Sequence, residues 1–200
     1  MNDIKRRRVI INPILVERTT MVVLDGMHRV KALNLMGYTK VPALLVDYMT
    51  RYVLVYGWAR VVKIQESLIY KMLKEMGLNF RVAERSEALR SLGERLTSFI
   101  VLMGNRGLLI GEFIDIMNSY RILHSLERKL LDRGCKIEYV SDDFIPNSKV
   151  ILMAPRVRKG EVLMKALEGE LFPPKTTRHI VLGSLNHRTL RIHYPLEELR

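Results

Sequence analysis

The chain has a single cysteine, Cys135. No disulfide can form within it, and no cysteine-ligated zinc site can be assembled. Such a chain suits a reducing compartment, and a cytoplasmic location is expected. There is one glutamine, Gln65, against 33 Lys and Arg and 21 Asp and Glu. That bias is one found in heat-adapted proteins. No run of about 18 apolar residues occurs, so no transmembrane helix and no membrane partner are expected. The charged first residues are not followed by an apolar run of the secretory kind, so no secretory signal is expected either. The Gly-x-Ser-x-Gly elbow, the His-Glu-x-x-His helix and the Gly-x-x-x-x-Gly-Lys-Ser phosphate loop are all missing. So are internal repeats and low-complexity stretches.

What is present is an apolar, strongly basic chain of 200 residues. Hydrophobic residues make up 48%, enough for a real core in one domain or two small ones. The net charge of +12 points to an anionic partner: nucleic acid, nucleotide or membrane surface. The basic residues are spread along the chain, and the one dense run is Lys5-Arg6-Arg7-Arg8.

The most informative stretch is Met21 to Gly37. Met21–Leu24 is apolar and long enough for a short buried strand. Asp25-Gly26 is a turn signal, and a helix follows, with Val30 and Leu33 on its apolar side and Gly37 as its stop. The turn sets Gly26, Met27, His28 and Arg29 at a helix N-terminus, where unpaired N–H groups and partial positive charge suit an anion. Asp25 beside it could hold a hard cation such as Mg²⁺. The other reading is an ordinary turn in which Asp25 caps the helix while Arg29 and His28 face water.

Around this stretch, Ile14–Val16, Val41–Tyr48 and Arg51–Trp58 read as strands, the second of them buried. Residues 1–62 form one unit of short strands around a helix. The rest, 63–200, reads as a second unit. Gln65–Met76 has helical spacing, Phe80–Ala83 is a strand, and Ser86–Leu92 is a short helix capped by Ser86. Ser98–Met103 is a strand. Phe113–Asp132 carries the strongest helical periodicity in the chain. Ile137–Val140 and Lys149–Met153 are strands, and Val157–Leu167 is a helix. The order implies a mixed α/β layer.

Near the end, Pro173-Pro174 precedes Lys175-Thr176-Thr177-Arg178-His179. Hydroxyls, cations and an imidazole together suit a phosphate or a carboxylate. A solvated surface loop has the same composition. Trp58, the only tryptophan, could stack on a nucleobase or fill a core. Asp142-Asp143 reads as an acidic loop rather than a metal pair. His124 reads as a partly buried structural residue. His187 and His193 have no ligand at metal spacing.

Pro13–Val16, Val22-Val23-Leu24-Asp25-Gly26-Met27-His28-Arg29, Ala32-Leu33, Gly37, Val41-Pro42 and Val46-Asp47-Tyr48 resemble the ParB/sulfiredoxin superfamily domain. Val55-Tyr56-Gly57-Trp58 and Phe172–His179 resemble, within it, the archaeal ADP-dependent free serine kinases. The fold implied is a ParB/sulfiredoxin-like N-terminal domain (1–62) packed on a second small α/β domain (63–200) that carries the Thr-Thr-Arg-His motif. The resemblance implies phosphoryl transfer from ADP, or ATP, to free L-serine with Mg²⁺, giving AMP (or ADP) and O-phosphoserine. Asp25 would act at the transferring group and hold the metal. Asp25, Gly26, Met27, His28 and Arg29 would bind the nucleotide. Trp58, Lys175, Thr176, Thr177, Arg178 and His179 would bind the amino acid.

Two departures from the family stand out. It usually has His where this chain has Met27. Its proposed general base is a glutamate on a segment upstream of the residues matching Ile4–Pro13, and no residue here takes that role by alignment. Glu17 is the nearest carboxylate, on a loop across from the motif. The favoured expectation is that the full protein starts further upstream, because a missing opening strand leaves apolar edges exposed. The other is a chain that binds nucleotide and turns over slowly.

A ParB-like DNA-binding or regulatory protein is the alternative reading. The charge favours it, and the lack of a helix-turn-helix after residue 62 opposes it. A sulfiredoxin-like reductase needs a cysteine at the position of Met27 and is excluded.

Overall fold

The computed structural model describes residues 2–146, 150–183 and 193–199. Lys149, which the sequence assigns to a strand, and His187 lie outside the described residues. Along the chain run α1 (Asn2–Arg7), β1 (Val9–Ile11), β2 (Ile14–Glu17), β3 (Val23–Asp25), α2 (Met27–Leu35), β4 (Ala43–Val46), β5 (Val53–Tyr56) and β6 (Trp58–Val62). Then come α3 (Glu66–Glu75), β7 (Phe80–Glu84), α4 (Arg85–Gly93), β8 (Thr97–Met103), β9 (Arg106–Glu112) and α5 (Ile116–Asp132). The chain continues through β10 (Ile137–Ser141), β11 (Val150–Met153), α6 (Lys159–Leu167), β12 (Arg178–Val181) and β13 (His193–Pro195) to a 3₁₀ helix, Leu196–Leu199.

These elements form two compact units. The first takes Met1–Val55, Arg158–Glu170 and His179–Arg200; the second takes Tyr56–Val157 and Leu171–Arg178. Where the sequence suggests a division after residue 62, the chain thus leaves the first unit at Val55 and re-enters it twice.

In the first unit β2 is the central strand, with β3 antiparallel on one side and β4 parallel on the other. All of Ile14–Glu17 is buried, as a strand paired on both sides should be. β4 is less buried than its apolar sequence suggests: its residues alternate between exposed and half-buried, and Leu45 is 40% exposed. It is an edge strand, covered on one face only. β1 pairs with β13, and β5 with β12. Ile10, Leu33, Leu196 and Leu199 make a small core, so the last residues of the chain pack on the helix that follows the Asp25-Gly26 turn. Glu17 is buried and spends Oε2 on its own loop, accepting from the N–H groups of Thr19 and Thr20 and from Thr20 Oγ1. The Thr20 hydroxyl, then the backbone N–H groups, lower its pKa.

The second unit is built on a six-stranded sheet of order β10-β6-β11-β8-β9-β7, antiparallel throughout. β8, wholly buried, lies inside it. Antiparallel pairing gives α+β character to the layer that the element order suggested. α5 begins at Asp115, whose carboxylate accepts from the Asn118 N–H. It buries Ile116, Met117, Tyr120, Leu123, Leu126 and Leu130, the spacing expected of it. α4 starts one residue before Ser86, and Glu84 holds the cap position, because β7 runs straight into the helix. Gly57 divides what reads as one strand into β5 and β6, which join different sheets.

Candidate functional site

In the first unit the strand–turn–helix is built around Gly26. Its φ is +104°, a conformation that L side chains rarely adopt. A Cβ there would lie 2.5 Å from Ile14 Cγ2 and 2.9 Å from Arg29 Nη2. Glycine is therefore required twice over, by backbone angle and by space. Gly26 is also the N-cap of α2, and no side chain caps the helix. The first N–H groups of the helix, on Met27 and His28, have no carbonyl above them within the helix. No acidic residue occupies the first turn to compete with an anion.

The plain-turn reading fails on two of its three points. Asp25 does not cap the helix. Arg29 does not face water: its side chain is 25% exposed, and Nη1 donates to the carbonyls of Asn12 (2.6 Å) and Pro13 (2.7 Å). Its Nη2 lies 3.9 Å from Asp25 Oδ2. Arg29 thus ties the turn to the chain before β2 and leaves positive charge beside Asp25. His28 and Met27 are exposed, as that reading has His28. Among the described residues no group of three or more His, Cys, Asp or Glu gathers as a metal site. A single half-exposed carboxylate beside Arg29 fits Mg²⁺ that takes its other ligands from phosphates and water.

In the second unit the Pro-Pro segment is held by its backbone. Arg60 Nη2 donates to the Lys175 carbonyl (3.0 Å), the Tyr120 hydroxyl to the Thr176 carbonyl (3.4 Å), and Trp58 Nε1 to the Thr177 carbonyl (3.1 Å). Three successive carbonyls are taken by three side chains from β6 and α5. Arg60 is 1% exposed; its Nε donates to Glu127 Oε2 at 3.0 Å and its Nη1 to the Trp58 carbonyl at 2.7 Å. Glu127 Oε1 accepts from the Tyr139 hydroxyl. Burial, then the Glu127 carboxylate beside it, pushes the Tyr139 phenol up to about 12, so it remains a donor at neutral pH. Burial raises the Tyr120 phenol as well.

This clamp sorts the residues of the motif. Lys175 has φ +59°, and its ammonium lies over the rings of Trp58 (4.6 Å) and Tyr139 (5.3 Å). Arg178 lies over the same Trp58 ring, 5.6 Å from its centroid, and its Nε is buried with no hydrogen-bond partner among the described residues. Trp58 is half-buried and serves as a platform for both cations rather than as core filling. Thr176 differs from the exposed hydroxyl the sequence suggests: it is 2% exposed, and its Oγ1 donates to the Pro173 carbonyl at 2.7 Å. His179 belongs to the first unit, where it is 2% exposed and its Nε2 is hydrogen-bonded to the Tyr48 hydroxyl at 2.8 Å. Asp142 is paired with Arg156 at 2.7 Å, in keeping with a loop rather than a metal pair. His193 is an exposed strand residue.

Arg60, Tyr120, Glu127 and Tyr139 were not singled out from the sequence. Two signals were available. Arg60 is a lone cation inside the apolar run Ala59–Val62, and Glu127 falls on the buried spacing of α5 between Leu123 and Leu130. Replacing Trp58 with Phe keeps a ring under the two cations but removes the donor to the Thr177 carbonyl. A loss of about 1 kcal/mol is expected, which lowers the melting temperature by roughly 2–4 °C in a chain of this size. Thermal denaturation checks it.

No protein-family model matches the chain. A ParB-like protein of Sulfolobus acidocaldarius is 27% identical over 178 residues, covering 89% of this chain and 78% of its own. An ADP-dependent L-serine kinase of Thermococcus kodakarensis is 29% identical over 183 residues, 89% of this chain and 73% of its own. An ATP-dependent L-serine kinase of Staphylothermus marinus is 25% identical over 192 residues, 90% and 76% of the two chains. A solved free serine kinase carrying a glutamate-to-alanine substitution, in complex with AMP, matches 100% of this chain and 83% of its own with a TM-score of 0.79 at 23% identity. The chain is a mixed α/β protein of the ParB/sulfiredoxin-like fold found in the free serine kinases. Its homologues include a ParB-like protein and L-serine kinases, which supports a kinase-type enzyme. No helix among the described residues is long and apolar enough to cross a membrane.

Proposed function

We propose that the chain transfers a phosphoryl group from ADP, or ATP, to free L-serine. The observation that carries this reading is the Gly26 turn: unpaired helix N–H groups, the Arg29 guanidinium and the Asp25 carboxylate gather where only glycine fits. Homology over 89% of the chain to an ADP-dependent L-serine kinase supports it. Gly26, Met27, His28 and Arg29 hold the nucleotide phosphates, through N–H groups for the most part, because the Arg29 side chain is already engaged. Asp25 lies at the transferring group and would hold Mg²⁺. When bound, the metal neutralises phosphate charge.

Trp58, Lys175, Thr176, Thr177, Arg178 and His179 form the amino-acid side. Arg178 supplies a free N–H for a carboxylate, Thr177 a hydroxyl, and Thr176 its backbone N–H, since its hydroxyl and carbonyl are spent. The serine Oγ bonds to the terminal phosphorus while the bond from that phosphorus to its bridging oxygen breaks. The hydroxyl proton passes to water, and the bridging oxygen departs with the bonding electrons, as AMP when ADP is the donor and as ADP when ATP is. Glu17 is not put forward as the base: its Oε2 is held by three donors of its own loop, and those donors lower its pKa, which weakens it as a proton acceptor.

The test is incubation with ADP or ATP, Mg²⁺ and L-serine. AMP, or ADP from ATP, should form with O-phosphoserine in equal amounts, and either nucleotide should raise the melting temperature. If neither nucleotide stabilises the protein while duplex DNA binds with steep salt dependence, a DNA-binding role replaces this reading.

A further inference from the structure

Among the described residues, two charged side chains of the second unit have a buried atom with no hydrogen-bond partner. Asp142 has a side chain 6% exposed; Arg156 Nε donates to its Oδ2, and its Oδ1 has no partner among the described residues. Arg178 Nε is likewise buried and unpartnered. Asp142 borders Gly57 and Arg178 borders Trp58, two adjacent residues of the chain. Arg178 lies over the Trp58 ring, and Trp58 stands opposite Ser141 in the β6–β10 ladder. The Asp142 N–H donates to the Gly57 carbonyl at 3.3 Å. A Cβ on Gly57 would lie 2.8 Å from Asp142 Oδ2, so the glycine makes room for this carboxylate.

A buried carboxylate oxygen without a donor is costly, and in a native fold it asks for an explanation. It suits a positively charged donor. The guanidinium N–H suits an anionic acceptor. A free α-amino acid carries one of each on a single carbon.

We propose that Asp142 Oδ1 accepts from the α-ammonium group of a free amino acid whose α-carboxylate takes the Arg178 Nε–H. This rests on the amino-acid kinase reading above and deepens it. Asp142 becomes the residue that admits a free amino acid and rejects a hydroxy acid, which would leave the buried oxygen unpaired. A serine inside a peptide, with an uncharged amide in place of the ammonium, is rejected for the same reason.

Trp58 is the only tryptophan, so its fluorescence reports on ligands at this place. The protein and an Asp142→Asn variant are titrated with L-serine, with 3-hydroxypropionate (serine without its amino group) and with the other common amino acids. The unmodified protein should bind serine about tenfold or more tightly than 3-hydroxypropionate. Asp142→Asn should weaken serine by a similar factor and leave 3-hydroxypropionate unchanged. Equal affinity of the unmodified protein for the two ligands overturns the proposal without any variant, as does undiminished serine binding by a folded Asp142→Asn. Either result leaves the kinase reading standing. Binding of other amino acids, but not serine, with the same dependence on Asp142 upholds the proposal and removes serine as acceptor. Binding of no amino acid at all overturns it.

Discussion

Replacing Arg60 with methionine should cost about 3–5 kcal/mol, because it leaves Glu127 as an uncompensated charge in the core of the second unit. Arg60 is 1% exposed, and the Glu127 side chain 4%. The loss corresponds to a fall of roughly 6–20 °C in melting temperature. Stability alone does not identify the clamp, but a second variant does. Replacing both partners, Arg60→Met with Glu127→Leu, removes the buried charge altogether and should recover most of the stability, as apolar replacements of buried pairs often do. It cannot restore the donors to the Trp58 and Lys175 carbonyls. The double variant should therefore fold well and still bind amino acid weakly. Denaturation and serine titration, run side by side, separate the two effects. Recovery of both together would show that the guanidinium only balances Glu127.

That outcome bears on what the sequence could and could not reveal. The Asp25-Gly26 turn was legible because its signals are local: an apolar run, a turn dipeptide and a helix stopped by Gly37. The long helix α5 was legible because its apolar residues repeat at helical spacing over 17 residues. The clamp was not, because it depends on which distant segments meet. Tyr120 reads as one more apolar position of α5, and its ring is indeed buried, yet its hydroxyl donates to Pro155 and Thr176 carbonyls far along the chain. Arg60 reads as the polar end of a strand until its three partners are known. Thr176 and Thr177 look alike in sequence; only the turn after Pro173 decides which hydroxyl faces inward. Gly57 falls inside what reads as one strand, Arg51–Trp58. Its purpose lies in Asp142, 85 residues on, whose carboxylate occupies the space a side chain would need.

Replacing Gly26 with alanine should abolish nucleotide binding and destabilise the first unit. Forcing an L residue to φ +104° costs about 1–3 kcal/mol. The added Cβ must also displace Ile14, which is 2% exposed on a strand paired on both sides, and that overpacking costs about another 1–3 kcal/mol. Ile14 cannot yield without moving β2, so the turn itself must shift. The N–H groups of Met27 and His28 then lose their aim, and Arg29 is pushed from the Asn12 and Pro13 carbonyls. Gly37 provides the control. Its φ is +78°, but a Cβ there meets nothing within 4 Å. Gly37→Ala should therefore carry only the backbone cost, about 1–3 kcal/mol, and keep its response to nucleotide. The measurement is the rise in melting temperature on adding ADP with Mg²⁺. At a hundredfold excess over the dissociation constant, binding stabilises by about 2.7 kcal/mol, or roughly 5–11 °C for a chain of this length. The unmodified protein and Gly37→Ala should show that rise, and Gly26→Ala should show none. An undiminished rise in Gly26→Ala would mean that the nucleotide is held somewhere other than this turn, and the assignment of Asp25 to the transferring phosphoryl group would fall with it.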